Sequence, residues 1–247
     1  ENEIFEQMDD VQKRQLCVDL YEIKTSGTEL IPNQQRDSIS INSLGFRGPE
    51  PTSDEIVLFG GCSLTYATGV EAEQSWPYLM ANGDNYLNVA IPGSGIDVQL
   101  LNLTWAINNY NVKKLYWYAS DPHRQVVVRD DEKYVNLYVP GDMHLLNDNL
   151  ELRKSFIRSN TLMSETIWQK YFWNIYTFFS LCKQKNIEMF VTVWMGEYDY
   201  KLENLKREFN VKSIGNIKHD LDKGTDNLHP GPKCHKTFAD YIKGRKI

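Results

Sequence analysis

Ile56-Val57-Leu58-Phe59-Gly60-Gly61-Cys62-Ser63-Leu64-Thr65 is the stretch on which the fold of this chain turns. A short apolar run bounded by glycines reads as a buried strand over residues 55–60. Directly after it, a serine stands where the chain must bend from strand into helix. Working outward, the same alternation repeats. Residues 75–81 read as a helix, 86–90 as a second strand, 96–109 as a helix with apolar residues at helical spacing, and 114–119 as a third strand. Residues 161–185 form a long aromatic-rich helix, 187–194 a fourth strand, 197–209 a helix, 211–214 a short fifth strand and 232–243 the closing helix.

Strands separated by helices of this length imply right-handed crossovers and a parallel sheet covered on both faces. The expected class is therefore α/β, a three-layer α/β/α sandwich with a mostly parallel, flavodoxin-like five-stranded sheet. Residues 1–54 read as a lead-in, with a helix-like segment over 4–21 and a polar stretch rich in Pro, Asn, Ser and Gly over 25–54. Residues 55–247 read as one domain. Its alternation breaks at about 126–149, where Val126-Val127-Val128, Tyr134 to Val139 and Pro140-Gly141 suggest a hairpin-like insertion.

Composition narrows the function classes. The 247 residues are 41% hydrophobic and 24% charged, a globular balance able to bury a substantial core. A net charge of −6 without a Lys/Arg block advertises no nucleic-acid or anionic-membrane surface. No run reaches the roughly 18–20 apolar residues of a membrane span. Cys17, Cys62, Cys182 and Cys234 form no CxxC pair, so reduced thiols are expected. The charged opening Glu1-Asn2-Glu3 shows no signal peptide, which favours a cytoplasmic address; the chain also lacks an initiator Met, so a leader can be missing. No cofactor is implied, and the oligomeric state is open.

In such sheets ligands bind beyond the carboxyl ends of the strands. Ser63 follows the first strand, Gly93 the second, Ser120 and Asp121 the third, and His229 lies in the loop beyond the last. His229 sits in Asp226-Asn227-Leu228-His229-Pro230-Gly231, so a serine, a histidine and a carboxylate converge on one sheet edge. Those three groups are a nucleophile, a base and a base-orienting acid.

The residues carry a family resemblance. Gly61-Cys62-Ser63-Leu64 resembles the first block of the SGNH/GDSL hydrolase superfamily, with Cys62 where the family has Asp. Asn88-Val89-Ala90-Ile91-Pro92-Gly93 is similar to the second block, and Tyr118-Ala119-Ser120-Asp121 falls in register with the third, Ser120 standing in place of Asn. Asp226-Asn227-Leu228-His229 matches the last block. Asn42-Ser43-Leu44-Gly45-Phe46-Arg47-Gly48 resembles a lead-in of bacterial and phage members. The resemblance implies a Ser63, His229 and Asp226 triad acting on a small ester or an acylated carbohydrate, with Ser63, Gly93 and Ser120 at the oxyanion. It implies hydrolysis, with acyl transfer to a sugar hydroxyl or a degenerate binding module as the other classes. Losing the Asn donor typically costs on the order of 100- to 1,000-fold in rate.

Each residue has a plainer role beside this one. Ser63 can cap the helix it opens, and Asp226 and His229 can be a loop hydrogen-bond pair ahead of a helix start. Gly93 and Gly95 can serve a tight turn. Asp121 and Arg124 read as a structural or substrate-rim ion pair. His123, His144, His219 and His235 read as surface histidines. His229, Cys234 and His235 do not have zinc spacing, so no metal site is expected. Asn102-Leu103-Thr104 matches a glycosylation sequon but falls within a helix. The aromatic residues between Trp168 and Phe179 read as core or an oligomer face.

Overall fold

A computed structural model describes residues 35–36, 39–52, 55–122, 124–128, 134–138, 164–194 and 200–244. The helix expected over 4–21 lies outside them. In chain order the strands are β1 (Gln35–Arg36), β2 (Ile39–Ser40), β3 (Glu55–Gly61), β4 (Tyr86–Asn88), β5 (Asn111–Ala119), β6 (Arg124–Val128), β7 (Tyr134–Tyr138) and β8 (Glu188–Val193). The α-helices are α1 (Ser63–Tyr66), α2 (Trp76–Ala81), α3 (Ile96–Asn109), α4 (Ser164–Gln184), α5 (Glu203–Glu208) and α6 (Pro232–Gly244).

The central sheet is parallel, in the order β4-β3-β5-β8. Strands β3, β4, β5 and β8 thus run in the spatial order of a flavodoxin-like sheet. Among the described residues it has four strands rather than the expected five. The segment read as a fifth strand contributes a single parallel bridge, Phe190 to Lys212. Two hydrogen bonds make that rung, Val191 N–H to the Lys212 carbonyl (2.8 Å) and Lys212 N–H to the Met189 carbonyl (2.9 Å). Asn210 takes a left-handed φ of 54° just before it and Gly215 one of 72° just after, so the extended stretch has no room to lengthen. Strands β6 and β7 pair antiparallel within the segment expected to be an insertion.

Side-chain alternation along the strands builds two cores. Ile56 and Leu58 of β3, Leu115, Trp117 and Ala119 of β5, and Met189, Val191 and Val193 of β8 face α3 and α4. Phe59, Tyr116, Tyr118 and Phe190 face the other way, against Trp76 of α2 and Cys234, Phe238 and Ile242 of α6. This is the three-layer α/β/α sandwich. On the second face an aromatic ladder crosses three strands: Phe59 stacks on Tyr116 (centroids 5.3 Å apart) and Tyr116 on Phe190 (4.5 Å). Each such pair adds about 0.5–1.5 kcal/mol beyond its buried area. The Lys212 ammonium lies 5.2 Å from the Phe190 centroid and 2.8 Å from Glu188, extending the ladder to the single-bridge rung.

The long helix α4 divides its aromatic residues by face. Tyr171, Phe178 and Phe179 are buried, whereas Trp173 is 62% exposed.

His235 corrects its reading as a surface histidine. It is 1% exposed, on the α6 stripe with Phe238, Ala239 and Ile242, and its Nδ1 accepts the Trp76 backbone N–H at 3.3 Å. Burial, aided by the Arg47 charge, pulls it down from 6.5 to about 4. The folded protein holds this ring neutral where an unfolded chain would bind a proton. Stability from this group is therefore complete above about pH 6.5, falls as pH drops towards 4, and falls no further below that. The full effect is on the order of 3 kcal/mol. In urea titrations the wild-type midpoint should decline between pH 7 and 4.5. His235→Gln, which retains an acceptor for Trp76, should show a shallower decline; an unchanged slope would clear His235 as its source.

Candidate functional site

The site begins where β3 ends. Gly61 takes φ +151°, and a Cβ there would press on Thr65 and lie 2.8 Å from the Tyr118 carbonyl oxygen. Only glycine makes this turn without displacing its neighbours. Cys62 follows at the N-cap of α1, buried, with its carbonyl accepting the N–H groups of Thr65 (3.1 Å) and Tyr66 (2.9 Å). Ser63 is the first residue of α1 and half-buried.

Two side chains fix this short helix. Asn88, at the end of β4, donates through Nδ2 to the Thr65 carbonyl (3.0 Å). Arg47, 3% exposed, donates to the carbonyls of Tyr66 (3.0 Å), Ala67 (2.6 Å) and Val70 (2.5 Å), and its guanidinium lies 5.2 Å from the Tyr66 ring centroid. Asn42 shapes the loop that delivers it, accepting the N–H groups of Leu44 (3.1 Å) and Phe46 (2.9 Å) while donating to the Pro49 carbonyl (3.0 Å).

The second half of the site lies beyond residue 220. Asp222 accepts the N–H groups of Lys233 (2.8 Å) and Cys234 (3.0 Å), capping α6 from a distance. The intervening loop closes on itself through a Lys223–Pro230 bridge and Gly224 N–H to the His229 carbonyl (2.9 Å). Within it, Asp226 Oδ1 accepts the N–H groups of Leu228 and His229, both at 3.0 Å. Asp226 Oδ2 lies 2.5 Å from His229 Nδ1. Burial would push the Asp226 carboxyl up, but the His229 side chain and the two backbone donors outweigh it and hold it below the usual carboxylate value. An ionised carboxylate can only accept, so Nδ1 of His229 is the ring nitrogen that donates to it.

Gly69 joins the halves. Its carbonyl accepts the Thr225 N–H (2.8 Å), and its α-carbon is so close to the loop that a Cβ would sit 2.9 Å from Asp226 Oδ1. The loop after α1 and the Asp226–His229 loop are therefore in direct contact.

Gly93, in the turn after β4, has φ +75°. That turn reaches the Ser63 turn through the Gly61 carbonyl, which accepts from Ile91 N–H (3.3 Å) and Ser94 Oγ (3.1 Å). Ser120, just past β5, is fully buried, and its hydroxyl meets no hydrogen-bond partner, while its carbonyl accepts the Tyr171 hydroxyl (3.0 Å). Asp121 is buried and Arg124 half-buried; the Arg124 N–H donates to the Asp121 carbonyl (3.1 Å), and its guanidinium lies 5.6 Å from the Trp194 ring centroid. Asn102 is buried and spends its amide on the Val89 carbonyl (3.3 Å). His123 and His144 lie outside the described residues. Among the described residues, no cluster of three or more His, Cys, Asp and Glu side chains is placed to hold a metal ion, and no helix is long and apolar enough to cross a membrane.

Arg47, Asn88, Ser94 and Gln99 hold these pieces, and sequence reasoning gave none of them a role. A cavity of about 160 Å³ lies between the start of α3 and the first turns of α4, lined in part by Ile96, Asp97, Arg124, Lys170, Tyr171 and Asn174; none of Ser63, Gly93, Ser120 and His229 lines it.

No family model matches the chain, and no curated protein matches it. Solved structures do. A psychrotrophic esterase, EstA, from Pseudoalteromonas sp. is 14% identical over 77% of this chain and 95% of its own, with a TM-score of 0.45. A GDSL-like lipase from Bacteroides thetaiotaomicron is 13% identical over 77% and 86%, at 0.44. A Corynascus thermopiles carbohydrate esterase family 2 enzyme with a carbohydrate-binding domain is 11% identical over 79% and 67%, at 0.45.

Arg47 offers a direct test of the site's scaffold. Removing its guanidinium leaves buried carbonyls without donors, at about 1–3 kcal/mol per orphaned group. Arg47→Met should lower Tm by roughly 5–10 °C. Arg47→Lys should recover little of this, because one ammonium lacks the planar fork that spans several carbonyls. Differential scanning calorimetry decides; a lysine variant with wild-type Tm would mean that charge alone suffices.

Proposed function

We propose that this protein is a serine esterase of the SGNH/GDSL type, cleaving a small acyl ester through a covalent acyl-enzyme. The observation that carries this reading is the Asp226–His229 pair on a loop seated against Gly69, six residues after Ser63. In the proposed reaction Ser63 Oγ attacks the ester carbonyl carbon while His229 Nε2 takes its proton. Asp226, kept ionised, holds the imidazole tautomer and balances the imidazolium that forms. The backbone N–H groups of Ser63 and Gly93 meet the developing oxyanion. Collapse expels the alcohol, which leaves with the proton from His229. Water then repeats the sequence on the acyl-enzyme and frees the acid.

Cys62 departs from the resemblance without touching this scheme, since it occupies the N-cap and is neither nucleophile nor base in it. The substrate class is the one that the resemblance implies. It is a short acyl group on a polar alcohol, such as an O-acetylated carbohydrate. Acetate esters of p-nitrophenol should therefore be cleaved faster than octanoate esters, by kcat/KM.

The nucleophile is tested by a fluorophosphonate probe with the modified peptide mapped. Wild type should be labelled on Ser63, and Ser63→Ala should lose both labelling and p-nitrophenyl acetate hydrolysis. Labelling that persists in Ser63→Ala would sink the assignment, and an unlabelled wild type would favour a binding module that keeps only the fold.

Ser120 is the third donor in this proposal. Its enclosed hydroxyl has no acceptor in the free protein, so an oxyanion reached by a small local shift would be its first. An unsatisfied buried hydroxyl costs about 1–3 kcal/mol. Ser120→Ala should thus raise Tm by roughly 2–4 °C while lowering kcat up to about 10-fold with KM little changed. A more stable variant with wild-type kcat would leave the two backbone amides as the whole hole.

A further inference from the structure

Gln99 lies on α3, one turn in from the Gly93 loop, and is 2% exposed. A buried primary amide can make four hydrogen bonds, two through its N–H groups and two through its oxygen. All four are made. Nε2 donates to the Ser94 carbonyl (3.1 Å) and to Ser94 Oγ (3.2 Å). Oε1 accepts the Trp117 indole N–H (2.9 Å) and the Ser120 backbone N–H (3.3 Å). Ser94 Oγ, already an acceptor from Gln99, passes its own proton to the Gly61 carbonyl at 3.1 Å. One side chain thereby links the carboxyl ends of three adjacent parallel strands, β3 at Gly61, β4 through Ser94, and β5 at Trp117 and Ser120.

We infer that Gln99 is a positioning residue for acyl transfer, setting the spacing between the Ser63 turn, the Gly93 loop and the end of β5. The inference rests on the esterase reading above. The two proposed backbone oxyanion donors lie in different turns, so their separation is set by whatever joins those turns. At the Gly61 carbonyl that joint is the Ile91 N–H together with the Ser94 hydroxyl, and Gln99 fixes Ser94 from both its carbonyl and its hydroxyl. Oxyanion stabilisation depends on donors aimed at the position the charge will occupy, and a misplacement of about 1 Å can cost on the order of 100-fold. The direction of each bond matters as well. Ser94 requires a donor and the Trp117 and Ser120 N–H groups require an acceptor, so an amide in one orientation satisfies both sides. A carboxylate of the same shape satisfies the acceptor side only, and its protonated form can donate once more to Ser94.

Two variants test this with p-nitrophenyl acetate turnover and the rate of fluorophosphonate labelling at Ser63. Gln99→Met keeps the length and removes all four bonds; it should lower kcat and the labelling rate by roughly 10- to 100-fold, with KM within about threefold. Gln99→Glu keeps the shape and makes the donor titratable. Its labelling rate relative to wild type, followed from pH 5.5 to 8.5, should fall as the carboxyl ionises, a signature that loss of packing would not produce. If Gln99→Met does not fold, the Gln99→Glu profile decides alone. The inference is overturned if the Gln99→Glu ratio is constant across that range, or if a folded Gln99→Met labels at the wild-type rate. Failure of the esterase reading is distinct, because wild type itself would then not be labelled at Ser63.

Discussion

Two glycine backbones pressed together hold this site. Gly69, in the loop after α1, and Gly224, at the start of the Asp226–His229 loop, approach so closely that a Cβ on Gly224 would lie 2.7 Å from the Gly69 carbonyl oxygen. A side chain on either would drive the loops apart and take the Thr225–Gly69 hydrogen bond with it. The sheet brings the ends of its strands to one edge, yet the last loop comes from beyond the sheet and needs its own attachment. That contact supplies it, and the chemistry proposed for Ser63, His229 and Asp226 depends on it.

Around it, the site is braced by polar side chains inside the protein rather than by apolar packing alone. Arg47 holds three carbonyls of the turn after α1, Asn88 a fourth, and Asp222 the first turn of α6. Buried groups bonded in this way favour one arrangement of loops, because sliding a loop leaves more buried donors or acceptors unmet. Burial pulls the Arg47 guanidinium below its usual value, which measures the desolvation the fold accepts there. The aromatic ladder on the far face contributes area and stacking; the polar braces contribute direction.

The parallel sheet was legible because its strands are apolar on both faces and α3 keeps helical spacing from Ile96 to Asn109. The Asp226–His229 pair was legible because three residues suffice to fold a carboxylate back on an imidazole. The fifth strand was not, since left-handed residues on either side, Asn210 and Gly215, cut it to one rung, which apolar content alone does not reveal. His235 was misread although its spacing to Phe238, Ala239 and Ile242 puts it on the buried stripe of α6; a titratable residue invites a surface reading. Gln99 follows the same logic, lying at helical spacing with Ile96, Leu103 and Ala106 on the inner face of α3. A polar residue on an apolar stripe was the available signal. Its four bonds go to Ser94 in the turn after β4, Trp117 of β5 and Ser120 just past it, and local pattern does not report them.

The hydrogen bonds between Gly69 and Thr225 span 156 positions of sequence. Contacts that distant are expensive in loop-closure entropy until the chain between them is already organised. Synthesis makes the Ser63 turn early and the Asp226–His229 loop late, so their contact waits until the chain that forms β8 and α4 has been made. A half-made chain carries Ser63 and its glycine turn without the Asp226–His229 loop that seats against Gly69. In the proposed chemistry, a chain that stops short of that loop holds its nucleophile with nothing to take the proton.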